Sequence, residues 1–450
     1  MKAILLFVAA CLLAPAADAP QIAGDWQGTI TLNGIDQHLA VHLQTADNGW
    51  KGAMDAVDSG VNGIPLQTIA FDGAGLTFQV PTIGGSYEGA FDAKTGVISG
   101  TWSQSGFKLP LDLHRMTAAA RPNRPQEPKP PFPYAAENVA YDNPQAPGVK
   151  LAGTLTKPKG AGPFPAVLLI TGSGPQNRDE EVMGHKPFLV LADYLTRRGI
   201  AVLRVDDRGT AESTGNFKTA TTQDFATDTM AGVRYLLGRP EVDKKHIGLI
   251  GHSEGGAIAP MVAVKMPEIA FIVLLAGPGV PGAQVIEDQV YQINLLAGIS
   301  PEIAAQNRAF EHKILNLVMS DPDPEKKILA LAEGDPALQE KIKVQIPSMR
   351  SPWYLYFLAY DPRPTLERVK CPVLALNGSK DSQVSPELNL PAIEAALKKG
   401  GNRDATVQIV PGVNHLFQNA KTGAVSEYRE IEETMSPKVL ETTAAWIAKH

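Results

Sequence analysis

Cysteine is nearly missing from this sequence, with Cys11 and Cys371 the two present in 450 residues. Cys11 falls in a leader expected to be removed. Cys371 then stands alone, an intrachain disulfide is excluded, and the fold must be held by its core. Cys371 precedes Pro372 and an apolar strand, and reads as a buried structural thiol. Positive charge is also in short supply. Lys and Arg number 41 against 47 Asp and Glu, a net charge of −6, which argues against a nucleic-acid partner and against an anionic membrane surface. Past the N-terminus no segment holds 18 uninterrupted apolar residues, so no membrane span is expected. The 44% hydrophobic and 20% charged content is that of a globular protein, and the length is that of two or three domains.

The N-terminus carries the marks of export. Lys2 precedes the apolar run AILLFVAACLLA, and small residues follow in APAADA (14–19). This reads as a signal peptide over 1–19, cut near Ala16, Ala17 or Ala19, for a periplasmic or secreted protein. VAAC (8–11) faintly resembles a lipoprotein box, but the apolar run continues beyond it.

Three regions follow. Residues 20–118 look like a small all-β domain. Short alternating segments such as GTITLNG (28–34), HLAVHLQ (38–44), LTFQVP (76–81) and GVISGTWSQ (96–104) are spaced as in an up-and-down sheet or small barrel. Its interior is expected to be filled, although a ligand cavity is conceivable. Residues 119–134 form a linker with six prolines in RPNRPQEPKPPFPY (121–134), which neither a helix nor a central strand accepts. From 135 to 450 strands alternate with helices. Near-continuous apolar strands are expected at 165–172, 199–207, 246–251, 270–277, 371–378 and 405–412, as in a mostly parallel α/β sheet covered on both faces. Helices are expected at 188–199, 229–239 and 386–398. Residues 280–365 hold no good strand. Helical patterns at 283–298, 300–320 and 335–346 make them a cap inserted at the C-terminal edge of the sheet.

GHSEGG (251–256) sits between the strand HIGLIG and a helix-like stretch. Alone, G-x-S-x-G is a weak signal. Between strand and helix it is the context of a nucleophile elbow with Ser253 at its tip. In the order that nucleophile elbows of α/β hydrolases imply, an acid and then a histidine follow the serine. His312, His415 and His450 come after it. His312 lies within the cap and His450 is terminal, whereas His415 follows the strand 405–412. Asp381, at the end of the strand 371–378, is the favoured acid, with Asp404 and Glu387 as alternatives. Asp381 could instead cap the helix that follows it, and His415 could be an ordinary loop residue.

Residues 135–450 resemble the α/β-hydrolase superfamily, and within it bacterial secreted carboxylesterases related to prolyl oligopeptidase and dienelactone hydrolase. The pieces that carry the resemblance are TGSGPQNRDE (171–180), DDRGTAES (206–213), GHSEGG (251–256), NGSKDSQVSP (377–386) and PGVNHLF (411–417). One departure is Ala211, where relatives commonly have glycine. The resemblance implies an oxyanion hole built from the backbone N–H groups of Glu254 and Ser173. Asp207 and Arg208 read as a structural ion pair or loop anchor.

The first function expected is a serine esterase: Ser253 attacks, His415 relays the proton, Asp381 orients the imidazole, and water releases the acyl group. The chemistry calls for no metal or cofactor. The partner is a small ester, and a homo-oligomer stays open. A serine peptidase or amidase of the prolyl-oligopeptidase-like branch would use the same triad. A β-propeller gate is excluded, because 95 residues fall short of the roughly 160 that four blades need. A binding protein on a silent hydrolase scaffold is a third reading. SPWYLYFLAYDP (351–362) holds five aromatics. Trp353 and Tyr356 among them either line a substrate pocket or pack the cap onto the core.

Overall fold

Strict alternation of apolar and polar residues is what gives the N-terminal region an inside and an outside. In a computed structural model that describes residues 22–32, 35–46, 49–56, 61–104, 107–116 and 123–450, the chain forms two units, one ending at Arg121 and one beginning at Pro122. The leader at 1–19 and the start of the proline-rich segment lie outside the described residues.

Among its described residues the first unit contains nine strands: β1 (Gly24–Leu32), β2 (Ile35–Ala46), β3 (Gly49–Ala56), β4 (Val61–Pro65), β5 (Gln67–Phe71), β6 (Gly75–Val80), β7 (Gly85–Asp92), β8 (Val97–Gln104) and β9 (Phe107–Arg115). They form one antiparallel sheet in the order β4-β3-β2-β1-β9-β8-β7-β6-β5. Along β6, Leu76, Phe78 and Val80 point inward and the residues between them outward. Trp26, Leu43, Met54, Phe78, Tyr87 and Trp102 fill the interior. Tyr87 lies across Gly89 and Gly100, where any side chain would collide with its ring. Its hydroxyl reaches the carbonyls of Ile98 and Leu111 at 3.0 and 3.1 Å. The glycines thus make room for the Tyr87 ring in the interior.

The second unit begins with a strap. Although proline keeps residues 123–134 out of regular structure, they are not a free tether. Arg124 donates to the carbonyls of Met183, Gly184, Arg429 and Ile431 at 2.8–3.2 Å. Gln126 bonds the backbone of Thr434 and Met435, and the Tyr134 hydroxyl donates to Asp193 at 2.8 Å. A segment expected as a spacer is laced to the domain it precedes, because polar side chains between the prolines find the carbonyls of neighbouring loops.

The sheet of this unit comprises β10 (Ala135–Asp142), β11 (Lys150–Lys157), β12 (Phe164–Ile170), β13 (Ala201–Val205), β14 (Val242–His252), β15 (Ile269–Leu275), β16 (Val373–Gly378) and β17 (Ala405–Val410). Their order is β10-β11-β13-β12-β14-β15-β16-β17. The first two pairings are antiparallel and the rest parallel. The six parallel strands fall where apolar runs predict them. β10, at the sheet edge, and β11 beside it carry Thr, Lys, Glu and Asn and give no such run. Helices α1 (Pro187–Thr196), α2 (Thr222–Leu237), α3 (Gly255–Ala263), α10 (Pro386–Lys399) and α11 (Pro437–Ile447) cover the faces. Between β12 and β13 the chain crosses over through α1, while β14, α3 and β15 bring the chain back beside it, so the C-terminal ends of β12, β14, β16 and β17 share one edge. α2 starts seven residues before the expected Thr229. Thr221 and Asp224 form a capping box that extends it through a polar first turn.

The insertion between β15 and β16 is helical as expected: α4 (Gly282–Leu296), α5 (Pro301–Ser320), α6 (Glu325–Leu331), α7 (Pro336–Met349), α8 (Pro352–Ala359) and α9 (Arg363–Leu366). Ser300 caps α5 through the Ile303 N–H. Ile314, Leu315, Val318, Ile328, Ile342 and Leu358 give this cap a core of its own. No helix of the described residues is long and apolar enough to cross a membrane.

Candidate active site

β14 ends at His252 and α3 begins at Gly255, so Ser253 and Glu254 alone turn the chain. Ser253 takes a φ of +52°, a left-handed conformation that costs a non-glycine residue about 1–2 kcal/mol. The turn is fixed by Ser253 N–H donating to Leu275 O (2.8 Å) and Gly256 N–H donating to Ser253 O (2.9 Å). Flanking glycines make it possible. A Cβ on Gly251 would run into the Gly255 carbonyl, and one on Gly255 into that of Ile170. Strain of this kind persists only where the surroundings enforce it, and it places Ser253 half-buried at the tip of the elbow.

Asp381 follows β16 and His415 follows β17. His415 Nδ1 donates to Asp381 Oδ2 at 2.7 Å, with the two residues 5% and 4% exposed. The other carboxylate oxygen accepts the N–H groups of Gln383 and Val384, each at 2.9 Å. Asp381 therefore holds its own loop and the imidazole, and does not cap α10, where Ser385 is the N-cap residue. The His415 ring packs 4.9 Å, centroid to centroid, from that of His252, the residue before Ser253. The structure thus brings Asp381 and His415 together and sets the imidazole beside the elbow.

The alternatives lie elsewhere. Asp404 is exposed at the opposite end of β17 and pairs with His450. Glu387 is exposed in the first turn of α10. His312 sits exposed on α5 beside Glu287.

The loop 171–176 crosses directly over the elbow. A Cβ on Gly172 would come within 3.1 Å of Ser253 Cβ. Asp207 pins this loop, accepting from Thr171 Oγ1 (2.7 Å) and Gln176 N–H (2.9 Å). Burial pushes the Asp207 carboxyl well above its ordinary range, and the carboxylates of Glu254 and Glu180 add to the effect. Arg208 pairs with Asp228 (2.6 Å) and not with Asp207. The residue is an anchor, and the expected Asp207–Arg208 ion pair does not form. Ser173 is exposed at the crest of the loop.

Glu254 is buried, and its side chain is the hub of a second set of bonds. Trp353 Nε1 from α8 lies 2.9 Å from both carboxylate oxygens. Thr222 Oγ1 donates at 2.7 Å, and the Ser173 side chain adds another bond. Burial raises the Glu254 carboxyl above its ordinary range while these donors pull it back. Through this carboxylate the cap, the elbow and the loop 171–176 are connected. The two singled-out aromatics therefore differ. Trp353 reaches the elbow, whereas Tyr356 stacks on Tyr360 (5.8 Å) and packs against the main core.

Residues 186–421 match the family described as serine aminopeptidase, S33 (Hydrolase_4). The chain belongs to that family. This Hydrolase_4 chain is 27% identical over 301 residues to esterase EstD of Thermotoga maritima, a match covering 66% of this chain and 66% of that relative, just under two thirds of its length. Similar solved structures include the α/β hydrolase GrgF from Penicillium sp. sh18 (19% identity, TM-score 0.45, 70% of this chain and 99% of that one). Another is the Pyrococcus furiosus esterase Pf2001 (17% identity, TM-score 0.43, 70% and 93%). Membership, with the mixed eight-stranded sheet, makes the second unit an α/β hydrolase.

Two residues of this hydrolase had no role assigned from the sequence. Glu180 and His252 lie inside the motifs 171–180 and 251–256, yet they are 72 positions apart and nothing in the linear pattern pairs them. His252 Nδ1 meets Glu180 Oε1 at 3.0 Å. In the DDRGTAES loop, Ala211 takes a φ of +46°, the left-handed backbone that a glycine adopts without strain.

Proposed function

We propose that this protein is a serine esterase working through an acyl-enzyme on Ser253. The buried Asp381–His415 hydrogen bond beside a serine in left-handed backbone carries this reading. Deprotonated by His415 Nε2, Ser253 Oγ attacks the ester carbonyl. Asp381 holds the Nδ1–H tautomer and stabilises the imidazolium that forms. The N–H groups of Glu254, at the start of α3, and Ser173, on the pinned loop, would receive the oxyanion. His415 returns the proton to the leaving alcohol. A water deprotonated by His415 then attacks the acyl group, and Ser253 regains its proton.

The esterase name of the Thermotoga relative supports ester as the substrate class, and the family description points to the peptide bond as the second. A panel of p-nitrophenyl esters beside aminoacyl p-nitroanilides separates them, with turnover of the esters expected to exceed that of the anilides. Ser253→Ala should abolish turnover of both. Equal or greater anilide turnover would make the protein a peptidase, and activity retained by Ser253→Ala would remove the nucleophile. We further propose export, on the leader at 1–19. N-terminal sequencing of the periplasmic or secreted fraction is expected to show a chain beginning between residues 17 and 20.

A further inference from the structure

Three loops must be held together for this chemistry: the oxyanion loop after β12, the elbow after β14 and the base loop after β17. One chain of hydrogen bonds joins all three and does not involve Asp381. Gly172 N–H donates to Glu180 Oε1 at 2.6 Å. The same oxygen lies 3.0 Å from His252 Nδ1, and His252 Nε2 lies 3.0 Å from the carbonyl oxygen of His415. A carbonyl oxygen can only accept, so Nε2 carries a proton. Glu180 Oε1 already accepts from Gly172, and for a carboxylate the bond from Nδ1 needs a second ring proton.

The surroundings favour a charged pair strongly held. Glu180 and His252 are 3% and 6% exposed. Phe188, Leu275, Leu416, Phe417 and Met435 wall them in, and a low dielectric strengthens the attraction between opposite charges. Glu180 takes a φ of +52°, so its backbone is strained to aim the carboxylate inward. Its Oε2 makes no hydrogen bond among the described residues, which leaves His252 as the partner that compensates the charge.

Resting on the esterase reading above, we propose that His252 is a positioning residue, held as an imidazolium by Glu180, and that this pair sets the oxyanion loop and the His415 backbone in register with Ser253. The groups facing His252 are Glu180 from the β12–α1 loop, His415 from the loop after β17 and Asp381 from the loop after β16. Burial by itself would lower the His252 pKa. The Glu180 charge and hydrogen bond, the His415 carbonyl and the Asp381 charge outweigh it and raise the pKa above the ordinary value. The cationic form therefore persists to higher pH than in a free imidazole and is lost as pH rises through the raised pKa. Deprotonation of His252 gives the alkaline limb of the rate profile.

Two measurements test this on the full chain. In 15N-histidine-labelled protein at pH 7, both ring nitrogens of His252, assigned through the spectrum of His252→Asn, are expected to carry protons. A neutral ring with one bare nitrogen overturns the proposal, and this reading needs no active variant. In Glu180→Gln, removal of the anion should move the alkaline limb of kcat/KM for p-nitrophenyl acetate down by about one pH unit or more. At pH 7, kcat should fall at least about tenfold with KM changed less than about threefold. An unmoved alkaline limb, or a KM effect alone, overturns it. The esterase reading itself fails only if the parent chain does not hydrolyse the ester or if Ser253→Ala still does.

Discussion

At the scale of single residues, geometry turns two ambiguous candidates into an ordered pair. Asp381 has its Oδ2 on His415 and its Oδ1 on two backbone N–H groups. Asp381→Asn keeps the size of the side chain but favours the wrong imidazole tautomer. It is expected to lose about 10³–10⁴ in kcat, while Asp404→Asn, at the far end of the sheet, stays within about twofold. A larger loss for Asp404→Asn, measured on the same p-nitrophenyl ester, would reassign the acid. A smaller effect is expected at Ala211. Its φ of +46° is a glycine's conformation, so Ala211→Gly should be neutral to stabilising by up to about 1 kcal/mol. Thermal melting checks this, and a lower melting temperature would mean that the strain is not released.

At the scale of elements, the cap meets the edge that carries the elbow through α8. Trp353 donates to the Glu254 carboxylate beside Ser253, whereas Tyr356 packs into the core behind it. The two aromatics, three positions apart, should therefore respond differently. Trp353→Ala is expected to change the ranking of ester chain lengths by more than about tenfold, or about 1.4 kcal/mol in relative transition-state binding. Tyr356→Ala is expected to lower the melting temperature, for a loss of about 1–3 kcal/mol, and to leave the ranking in place. Kinetics on a chain-length series together with melting curves separate the two. If Trp353→Ala slows every ester equally, its indole is a fastener and not a selectivity element.

At the scale of the whole molecule, the boundary that matters is chemical and lies before the strap. A chain beginning at Asn123 should fold and react with a fluorophosphonate at Ser253, because it keeps Arg124, Gln126 and Tyr134. A chain beginning at Ala135 should melt markedly lower, since it leaves four carbonyls without Arg124. Equal melting temperatures would show the strap to be decoration. Next to it, His185 is buried between Tyr428 O (2.8 Å) and Thr434 (3.0 Å). Burial and then the Arg124 charge push its pKa from 6.5 down to about 4. The unfolded chain therefore binds a proton below about pH 6.5 that the folded chain refuses until about pH 4. Stability is full above 6.5 and falls as pH drops toward 4, by up to about 3 kcal/mol. His185→Gln should flatten that part of the melting-temperature profile, and an unchanged slope would place the acid sensitivity elsewhere.

Some of this protein was decided within short stretches of sequence. Apolar runs marked the six parallel strands: β12 to β16 are largely buried on both faces and have little polar side to show, while β17, at the exposed edge, still carries Val407, Ile409 and Val410. Gly251, Ser253 and Gly255 marked the elbow because only small residues fit that turn, and prolines marked the end of the first unit. Strands β10 and β11 were not legible, since Glu, Asn, Thr and Lys interrupt their apolar residues and leave no continuous run. Tertiary structure decided the rest. Ser300 could announce the start of α5 from its own neighbours, but Trp353 and Tyr356 could not be told apart until α8 was laid on the elbow. The register of the strap came from carbonyls some 60 and 300 residues away. Glu180, His252 and the carbonyl of His415 form one chain of bonds only after β12, β14 and β17 deliver their ends to the same edge. Local patterns record what a segment must bury; which charged and polar groups meet in that burial depends on strand order, a property of the assembled sheet.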